Sequence, residues 1–402
     1  FQNVLALNPD HIEAHFYQGV LNLEKNNLVI AEQAFKKVLH YQPEHLMALN
    51  NLGVIALKED LPQLAIDYFT KALSLDHEHL EARNNLAATF IHHDRFENAL
   101  MHYDVLLKKD PHHIEYLYNS GVAQMALGHL QEAIDHFETL LSVDDHHFDT
   151  LNNLAAICLR INQHEKAIAL LERALLVKPN DEVTQFLLDV YQKHEKQREA
   201  CPTYTKNLFN NYALYYDEHL KGPLNYTLPQ VVGRLLHQFV HNHIKKAIDL
   251  GCGTGLCAGP LRELSDHLTG IDISSKMLAQ AKEKGVYDEL IESELISFLD
   301  TNTDLYDLAI AMDVLPYLGA LDPFFQHLYQ RLASPSLLIF THEISDSAPW
   351  QLQESARFCH HPDYVHTLSR QQRFELLHQE KIIARQQNEQ AVEVMIYVMS
   401  KA

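Results

Sequence analysis

One pattern of small, large apolar and polar positions repeats through residues 12–181 with a period of 34 residues. Each period predicts a pair of helices, with units at 12–45, 46–79, 80–113, 114–147 and 148–181. Small residues, which allow close helix approach, recur at Gly19, Gly53, Ala87, Gly121 and Ala155, and again at Ala31, Ala65, Ala99, Ala133 and Ala167. Large residues that would fill the space between units recur at Phe35, Phe69, Tyr103, Phe137 and Leu171.

These ladders, with prolines in register at Pro9, Pro43, Pro111 and Pro179, resemble the tetratricopeptide repeat. We therefore predict an all-α superhelix over residues 1–199, closed by a capping helix at 182–199. Phe1 and Val4 lie one period before Phe35 and Val38. For this reason we expect a partial leading repeat and a natural protein that extends upstream.

A second polar ladder falls on the first helix of each unit, which lines the concave face of such a superhelix. It consists of Asn51, Asn85, Asn119 and Asn153, with Tyr17 at the first position. A carboxamide both donates and accepts, so this ladder could hold the backbone of a bound peptide. It resembles the asparagine ladder of O-linked N-acetylglucosamine transferase. The alternative is that these asparagines bond locally between helices.

Histidine recurs with the same period just before each first helix, at His11, His45, His79, His113 and His147. Zinc needs its ligand nitrogens about 2.0–2.1 Å from one ion, whereas equivalent residues of stacked helices lie roughly 8–10 Å apart. We therefore predict a helix-start or turn role for these histidines, and no metal.

From residue 245 the pattern changes to short apolar runs that alternate with helix-compatible segments, which predicts an α/β sheet. The first run, 247–250, includes Asp249 and leads into a loop with glycine at positions 251, 253 and 255. Such a loop lets the backbone approach a ligand, while the next helix directs its free N–H groups at the same place. The next three runs, 268–273, 287–295 and 306–319, carry Asp272, Glu294 and Asp313.

These ordered motifs resemble the class I S-adenosylmethionine-dependent methyltransferases, and more narrowly the bacterial branch in which tetratricopeptide repeats precede the catalytic domain. The resemblance implies a Rossmann-like seven-stranded domain over 245–402 behind the superhelix. It implies S-adenosyl-L-methionine, or its product S-adenosyl-L-homocysteine, as the bound cofactor. The implied cofactor residues are Asp249, Gly251, Cys252, Gly253, Gly255, Asp272, Ile273, Glu294, Leu295 and Asp313. Among them Asp272 would hold the ribose hydroxyls, and Glu294 stands where the family more often has aspartate.

Residues 200–244 would form a linker and a helical lid over the cofactor, with Tyr212, Tyr216 and Tyr226 either facing its methionine end or packing. We favour packing for two of these three. After the fifth strand we predict a helix at 363–378 and a terminal hairpin at 381–385 and 392–399, with Asn388 in its turn. The antiparallel end distinguishes the methyltransferase sheet from a dinucleotide-binding domain, as does Leu256 in place of a third fingerprint glycine.

The methyl acceptor needs a base or a neutralising group beside it. Candidates are Asp313, Tyr317, His342, Glu343, His360 and His361. The resemblance places His360 first, with Asp313 as the second catalytic candidate. The residues after Asp313 lack the Asn/Asp-Pro-Pro-Tyr signature of enzymes that methylate exocyclic base amines or glutamine. Its absence argues against those two acceptors.

Net charge, cysteine content and the length of apolar runs limit the partners and the compartment that we expect. The formal net charge of −21 opposes nucleic acid binding. Five cysteines without a Cys-x-x-Cys pair favour a reducing compartment, which we take to be the cytoplasm. No apolar run is long enough to predict a membrane span.

Four functions compete on this pattern. The leading hypothesis is a methyltransferase whose superhelix holds a protein or peptide acceptor, and the alternative is a small-molecule methyltransferase whose repeats serve assembly only. An adaptor with a decayed cofactor site is disfavoured by the intact motifs, and a dinucleotide enzyme by Leu256 and the terminal hairpin.

Overall fold

The computed structural model describes residues 1–192, 200–222, 224–387 and 390–402. The chain forms two compact units, Phe1–Pro179 and Asn180–Ala402. No helix among the described residues is both long and apolar enough to cross a lipid bilayer.

The first unit is all-α, as predicted. A short helix, α1 (Gln2–Leu7), precedes five helix pairs at the positions of the predicted repeats. The pairs are α2 (Ile12–Glu24) with α3 (Leu28–Tyr41), α4 (Leu46–Lys58) with α5 (Pro62–Leu75), α6 (Leu80–His92) with α7 (Phe96–Lys109), α8 (Ile114–Ala126) with α9 (Leu130–Val143), and α10 (Phe148–Arg160) with α11 (His164–Val177).

The small and large ladders meet inside each pair. A Cβ placed on Gly53 would lie 2.4 Å from Cε1 of Phe69, and one on Gly121 would lie 2.4 Å from the same atom of Phe137. Since no real side chain tolerates such an approach, glycine is required where a phenylalanine ring faces it. The ring in turn is fully buried in both pairs.

The periodic histidines begin helices, as predicted. Nδ1 of His11, His45, His79 and His147 accepts the backbone N–H three residues later, at 3.1–3.3 Å. Each ring thus satisfies one of the free N–H groups at its helix start. His113 differs, because its ring instead stacks on Tyr116 with 3.7 Å between the ring centroids.

The second unit begins with helices that precede the sheet in the chain. They are α12 (Glu182–Gln192), α13 (Pro202–Tyr212), α14 (Tyr216–Lys221) and α15 (Leu228–Phe239). We predicted that 182–199 caps the superhelix, but α12 belongs to the second unit, where Phe186 and Val190 pack with Cys201 and Ala356. Residues 193–199 of the predicted cap lie outside the described residues.

The sheet is doubly wound with an antiparallel end. Its strands are β1 (Ile244–Leu250), β2 (Ser265–Asp272), β3 (Glu289–Glu292), β4 (Tyr306–Ala311), β5 (Leu332–Ile344), β6 (Trp350–Leu352), β7 (Phe358–His360), β8 (Glu375–Gln387) and β9 (Gln390–Lys401). Strands β3, β2, β1, β4 and β5 are parallel in that order, β9 pairs antiparallel with β5, and β8 pairs with β9. This is the predicted seven-stranded arrangement.

The helices of the sheet are α16 (Ala258–Leu264), α17 (Ser275–Glu283), α18 (Leu295–Thr301), α19 (Asp322–Arg331) and α20 (Pro362–Gln371). One apolar cluster joins α15 and α16 to one face of the sheet, and another joins α18, α19 and α20 to the other face. Both faces of the parallel strands are therefore buried, which is the condition for such a sheet.

Two predicted elements are wrong in extent. The helix expected at 363–378 ends at Gln371, because Arg373 takes a positive φ of 63° and β8 begins at Glu375. The strand expected at 287–295 spans only Glu289–Glu292, and Glu294 instead begins α18. The hairpin turn predicted at Asn388 lies outside the described residues.

The short hairpin of β6 and β7 was not predicted. Strand β7 pairs in parallel with the carboxyl end of β5 through Glu343 and Ile344, and β6 pairs with β7. The hairpin therefore lies at the edge of the sheet where the glycine loop also lies.

We expect His79→Ala to lower the free energy of unfolding of the superhelix by about 1 kcal/mol, because the N–H of Ala82 loses its acceptor. His79→Asn should keep most of the stability, since asparagine is a strong N-cap residue. Chemical denaturation followed by circular dichroism measures both variants. Equal losses in the two variants would show that the cap bond contributes nothing.

Candidate functional site

The glycine loop between β1 and α16 forms one wall of a cavity of about 580 Å³, called the first cavity below. Gly251 and Gly253 line it and have φ values of 71° and 54°, in the left-handed region that favours glycine. A Cβ on Gly251 would lie 2.5 Å from Cγ2 of Val314, whereas one on Gly253 would point towards Tyr216 at 3.8 Å. The loop thus brings bare backbone to the cavity at two points.

Asp272, at the end of β2, presents its carboxylate to the same cavity. Its two oxygens accept the N–H groups of Gly253 and Ser274, both at 2.8 Å. Burial raises the pKa of Asp272 to about 6, against the opposing effect of these hydrogen bonds. A carboxylate fixed in this way still offers lone pairs to a vicinal diol in the cavity.

Asp249 lies behind the loop rather than on the cavity wall. Its carboxylate accepts the hydroxyl of Tyr287 at 2.7 Å, and burial raises its pKa to about 7. The Tyr287 ring also explains Gly255, because a Cβ there would lie 2.9 Å from the ring. Asp249 and Gly255, both predicted cofactor residues, therefore shape the loop from beneath.

Cys252 is also absent from the described wall. Its N–H donates to the carbonyl of Ile271 at 2.8 Å, and burial raises the pKa of its thiol well above the ordinary value. This cysteine holds the loop against β2 as a neutral thiol.

Glu294 lines the first cavity, but its side chain caps the start of α18. Its carboxylate accepts the N–H groups of Ile296 and Ser297 at 2.9 and 2.7 Å. Glutamate thus serves here as the cap of the helix. The predicted residues Ile273 and Leu295 do line the cavity and give it apolar surface.

Asp313, at the end of β4, is the centre of a buried ion cluster. Its carboxylate accepts hydrogen bonds from Arg357 at 2.6 Å and from Arg385 at 2.9 and 3.1 Å. Glu343 also contacts both arginines, at 2.8 and 3.0 Å. Burial alone would raise the pKa of Asp313, but the two guanidinium groups outweigh it and lower the pKa. Asp313 is therefore poorly suited to take a proton.

His360, the predicted base, does not line the first cavity. The ring is fully buried, and Nε2 donates to the carbonyls of Gly319 and Leu318 at 2.8 and 3.1 Å. Burial lowers its pKa to about 4. Since both carbonyls belong to cavity-lining residues, His360 supports the wall from behind, and this placement does not favour the predicted base role.

The remaining base candidates are also buried or already bonded within the fold. His342 is buried with a pKa lowered to about 4, and Glu343 belongs to the ion cluster. His361 begins α20 by accepting the N–H of Asp363 at 3.2 Å. Tyr317 lines the first cavity, but burial raises the pKa of its hydroxyl.

A second cavity of about 670 Å³ adjoins the first, and Phe209, Tyr216, Asp313 and Tyr317 line both. Tyr212 lines the second cavity, whereas Tyr226 packs against the apolar cluster of α15. We expected two of the three lid tyrosines to pack, and the structure assigns only Tyr226 to packing.

The predicted lid helices are bonded to the glycine loop and to both ends of α17. Asp217 of α14 accepts the hydroxyl of Thr254 and pairs with Lys284 at 2.7 Å. Asn210 of α13 accepts the hydroxyl of Ser274 at 2.7 Å. The helical segment therefore covers the cavities as part of the folded unit.

The asparagine ladder uses its amide groups within the superhelix. Nδ2 of Asn85 donates to Asn50 at 3.0 Å, and Nδ2 of Asn119 donates to the Tyr103 hydroxyl at 2.8 Å. Asn153 approaches the Tyr118 hydroxyl at 3.5 Å, and Asn51 donates to the carbonyl of Met47 at 2.8 Å. These are the local bonds of the alternative interpretation.

Among the cavity residues that sequence reasoning missed are Phe209, His219, Trp350, Arg357 and Arg385. Arg357 follows β6 and Arg385 lies in β8, far along the chain from Asp313. The one available signal for the two arginines was Asp313 itself, because an acid at the end of a buried strand requires a cationic partner.

Comparisons with known proteins support the predicted organisation. Residues 248–337 match a family model described as a methyltransferase domain, and residues 29–76 and 124–187 match tetratricopeptide repeat models. The chain thus contains a methyltransferase domain preceded by tetratricopeptide repeats, and S-adenosylmethionine is the cofactor of that domain. The glycine backbone, the Asp272 carboxylate and the apolar wall of the first cavity fit this group.

Among curated relatives, the malonyl-[acyl-carrier protein] O-methyltransferase of Bacillus cytotoxicus is 30% identical over 146 residues, covering 35% of this chain and 49% of that protein. The mitochondrial ubiquinone biosynthesis O-methyltransferase of Rattus norvegicus is 28% identical over 103 residues, covering 24% and 30%. The chain thus spans about half the length of these relatives or less. Among solved structures, the tetratricopeptide protein YrrB shares 20% identity over 46% of this chain and 95% of that chain, with a TM-score of 0.42.

We expect Asp272→Ala to weaken S-adenosylhomocysteine binding at least tenfold, because hydrogen bonds to a charged acceptor contribute about 1.5–3 kcal/mol each. Asp266→Ala, an exposed acid of the same strand, is the matched control. Quenching of Trp350, the single tryptophan of the chain, reports binding because this residue lines the first cavity. Unchanged affinity in Asp272→Ala would place the cofactor elsewhere.

We also expect cofactor affinity to depend on pH through Asp272. Its pKa is raised to about 6 in the free protein, so the acceptor form is complete above that pH and is lost as the pH falls through 6. The dissociation constant should rise about tenfold per pH unit below pH 6. Asp272→Asn should abolish this slope, and an equal slope in that variant would contradict the assignment.

Proposed function

We propose that this chain, with its methyltransferase domain behind tetratricopeptide repeats, transfers a methyl group from S-adenosylmethionine to an acceptor of low molecular weight. The second cavity is the observation that carries this proposal. It adjoins the first cavity through four shared residues and is covered by α13 and α14, so an acceptor held there lies beside the cofactor.

Within this proposal the first cavity positions the cofactor. Asp272 would hold the ribose hydroxyls, Gly251 and Gly253 would contact its methionine portion, and Ile273 and Leu295 would flank the adenine. When bound, S-adenosylmethionine supplies an electrophilic methyl group on a sulfonium. The chain contributes mainly alignment, which accounts for much of the rate in a reaction of this kind.

Asp313 acts in this proposal through the ion cluster, not as a base. Its two arginine partners keep it ionised and fix the ends of β4, β5 and β8 beside the boundary of the cavities. His360 would set the backbone of Leu318 and Gly319 in the wall.

The curated relatives named above are O-methyltransferases, which supports an oxygen as the accepting atom. We assign the superhelix to binding a protein partner, as is common for stacked helical repeats. The leading hypothesis from the sequence, a peptide acceptor held by the asparagine ladder, receives less support because the amides of the ladder already donate within the superhelix.

The acceptor class can be tested by incubating the protein with methyl-labelled cofactor and a cell lysate, followed by gel filtration. We expect label in the small-molecule fraction, and about tenfold less, or lower still, at subsaturating cofactor when Asp272→Ala replaces the wild type. Label confined to the protein fraction would favour the peptide acceptor and overturn the proposal.

The double variant Asn85→Ala with Asn119→Ala separates the two acceptors further. We expect it to leave turnover of the small acceptor unchanged, whereas a peptide track predicts a loss of roughly tenfold or more in acceptor binding. Some loss of superhelix stability is expected, since Asn50 and Tyr103 lose their partners. A melting curve recorded beside the assay controls for this effect.

A further inference from the structure

Aromatic rings form a continuous chain along the second cavity. Tyr317 meets Phe209 edge to face with 5.0 Å between ring centroids, and Phe209 meets Tyr216 in the same way at 6.2 Å. Tyr216 meets Tyr212 at 5.2 Å, and Tyr212 meets the imidazole of His219 at 5.6 Å. Such a surface favours a planar ring as its ligand, because aromatic groups gain from edge and offset contacts beyond simple burial.

The formal charges at this cavity are balanced before any ligand arrives. Arg357 and Arg385 line it, but both are bonded to Asp313 and Glu343, so the four side chains sum to zero. Burial raises the pKa of Tyr212 to about 12 and that of Tyr216 well above its usual value, so both hydroxyls are neutral. An ionic acceptor would therefore lose its hydration without gaining an unpaired counter-ion, and a neutral one is favoured.

One lining residue can take a proton. Of the described residues that line the second cavity, Asp313 is held ionised by two arginines, whereas His219 of α14 has no carboxylate partner. Nδ1 of His219 is in hydrogen-bond contact with the hydroxyl of Tyr212, and the ring is exposed to solvent. Histidine at this place can therefore receive a proton through Tyr212 and release it to water.

We propose that the second cavity binds a neutral phenol-like ring as methyl acceptor, and that His219, acting through Tyr212, removes the proton of its hydroxyl. This inference rests on the proposed function, because it names the acceptor class for the same pair of cavities.

The acceptor oxygen forms a bond to the methyl carbon while the bond from that carbon to sulfur breaks, and the bonding pair stays on sulfur. The phenolic proton passes to the oxygen of Tyr212 as the proton of Tyr212 passes to Nδ1 of His219. The products are a methyl ether, a neutral thioether and an imidazolium that returns its proton to water.

Filling the second cavity tests the location. Ser355 lines this cavity and is exposed, so Ser355→Tyr adds a ring there without disturbing the core, and Ser355→Ala is the control. With catechol as the probe, we expect wild type and Ser355→Ala to bind it saturably in saturation-transfer NMR when S-adenosylhomocysteine is present. In Ser355→Tyr catechol affinity should fall at least tenfold, while quenching of Trp350 shows unchanged S-adenosylhomocysteine affinity.

Equal catechol affinity in all three proteins would overturn the second cavity as acceptor site. If wild type does not bind catechol although S-adenosylhomocysteine binds and the lysate assay labels small molecules, the phenol class is wrong and the proposed function stands. If no small molecule is labelled, the proposed function itself fails.

The pH profile of catechol methylation tests His219. With S-adenosylmethionine saturating, His219→Gln should lower kcat/KM for catechol at neutral pH at least tenfold. Its rate should then recover as the pH approaches the ionisation of the phenol itself, near 10 by analogy with tyrosine.

Tyr212→Phe should resemble His219→Gln, because it interrupts the proton path while keeping the ring. A merely structural role for His219 would lower the rate equally at every pH without recovery at high pH. That result would overturn the base assignment.

Discussion

The pairing of Asp313 and Glu343 with Arg357 and Arg385 is the interaction on which the rest of the site depends. The four side chains come from the ends of β4 and β5, from the hairpin of β6 and β7, and from β8, and they are at most 15% exposed. Removing one partner of such a buried set typically costs about 3–5 kcal/mol, because a buried charge is left uncompensated. The cluster therefore couples four separate chain segments; Asp313, Arg357 and Arg385 line the second cavity, and Asp313 also lines the first.

Because the ion cluster has no net charge, other groups must select the ligand of each cavity. In the first cavity the selective polar group is Asp272, whose oxygens are already aligned by two backbone N–H groups. In the second cavity, the guanidinium of Arg357 lies 4.8 Å from the Tyr317 ring centroid and forms a cation–π contact with that ring. Selectivity there is left to ring shape and to hydroxyl groups.

The sequence predicted those features that depend on residues close together in the chain. The repeat period predicted the helix pairs because a small residue of one helix faces a large residue of its partner, as Gly53 faces Phe69, and the glycine loop and Asp272 lie within one strand–loop–helix–strand segment. The arginines were missed because Arg385 meets Asp313 across 72 residues, through strand pairing that no short motif encodes. Strand β8 was mistaken in part for helix because it is an edge strand whose Leu376 and Leu377 are exposed, so the expected alternation is lacking.

Residue type also proved a weaker guide than burial. His360 matched a histidine of the resembled family, yet its ring is closed in against two carbonyls, whereas the exposed His219 of α14 reaches the second cavity. The asparagines of the superhelix matched a peptide-binding ladder, yet hydroxyl, amide and carbonyl groups of neighbouring turns already engage their amides. In both cases the deciding quantity is whether a polar group has a partner inside the fold, and that depends on residues distant in sequence.

Access to the two cavities is linked through α14. Tyr216 of this helix lines both cavities, and Asp217 beside it ties the helix to Thr254 and Lys284. The paired side chains of Asp217 and Lys284 are 21% and 31% exposed, so each tie contributes only about 0.5–1.5 kcal/mol. Further bonds fix the segment around it, since Gln280 donates to the carbonyl of Ala213 and Asn210 accepts the hydroxyl of Ser274, both at 2.7 Å. The glycine loop and α17, which shape the first cavity, therefore also position the helices that cover the second.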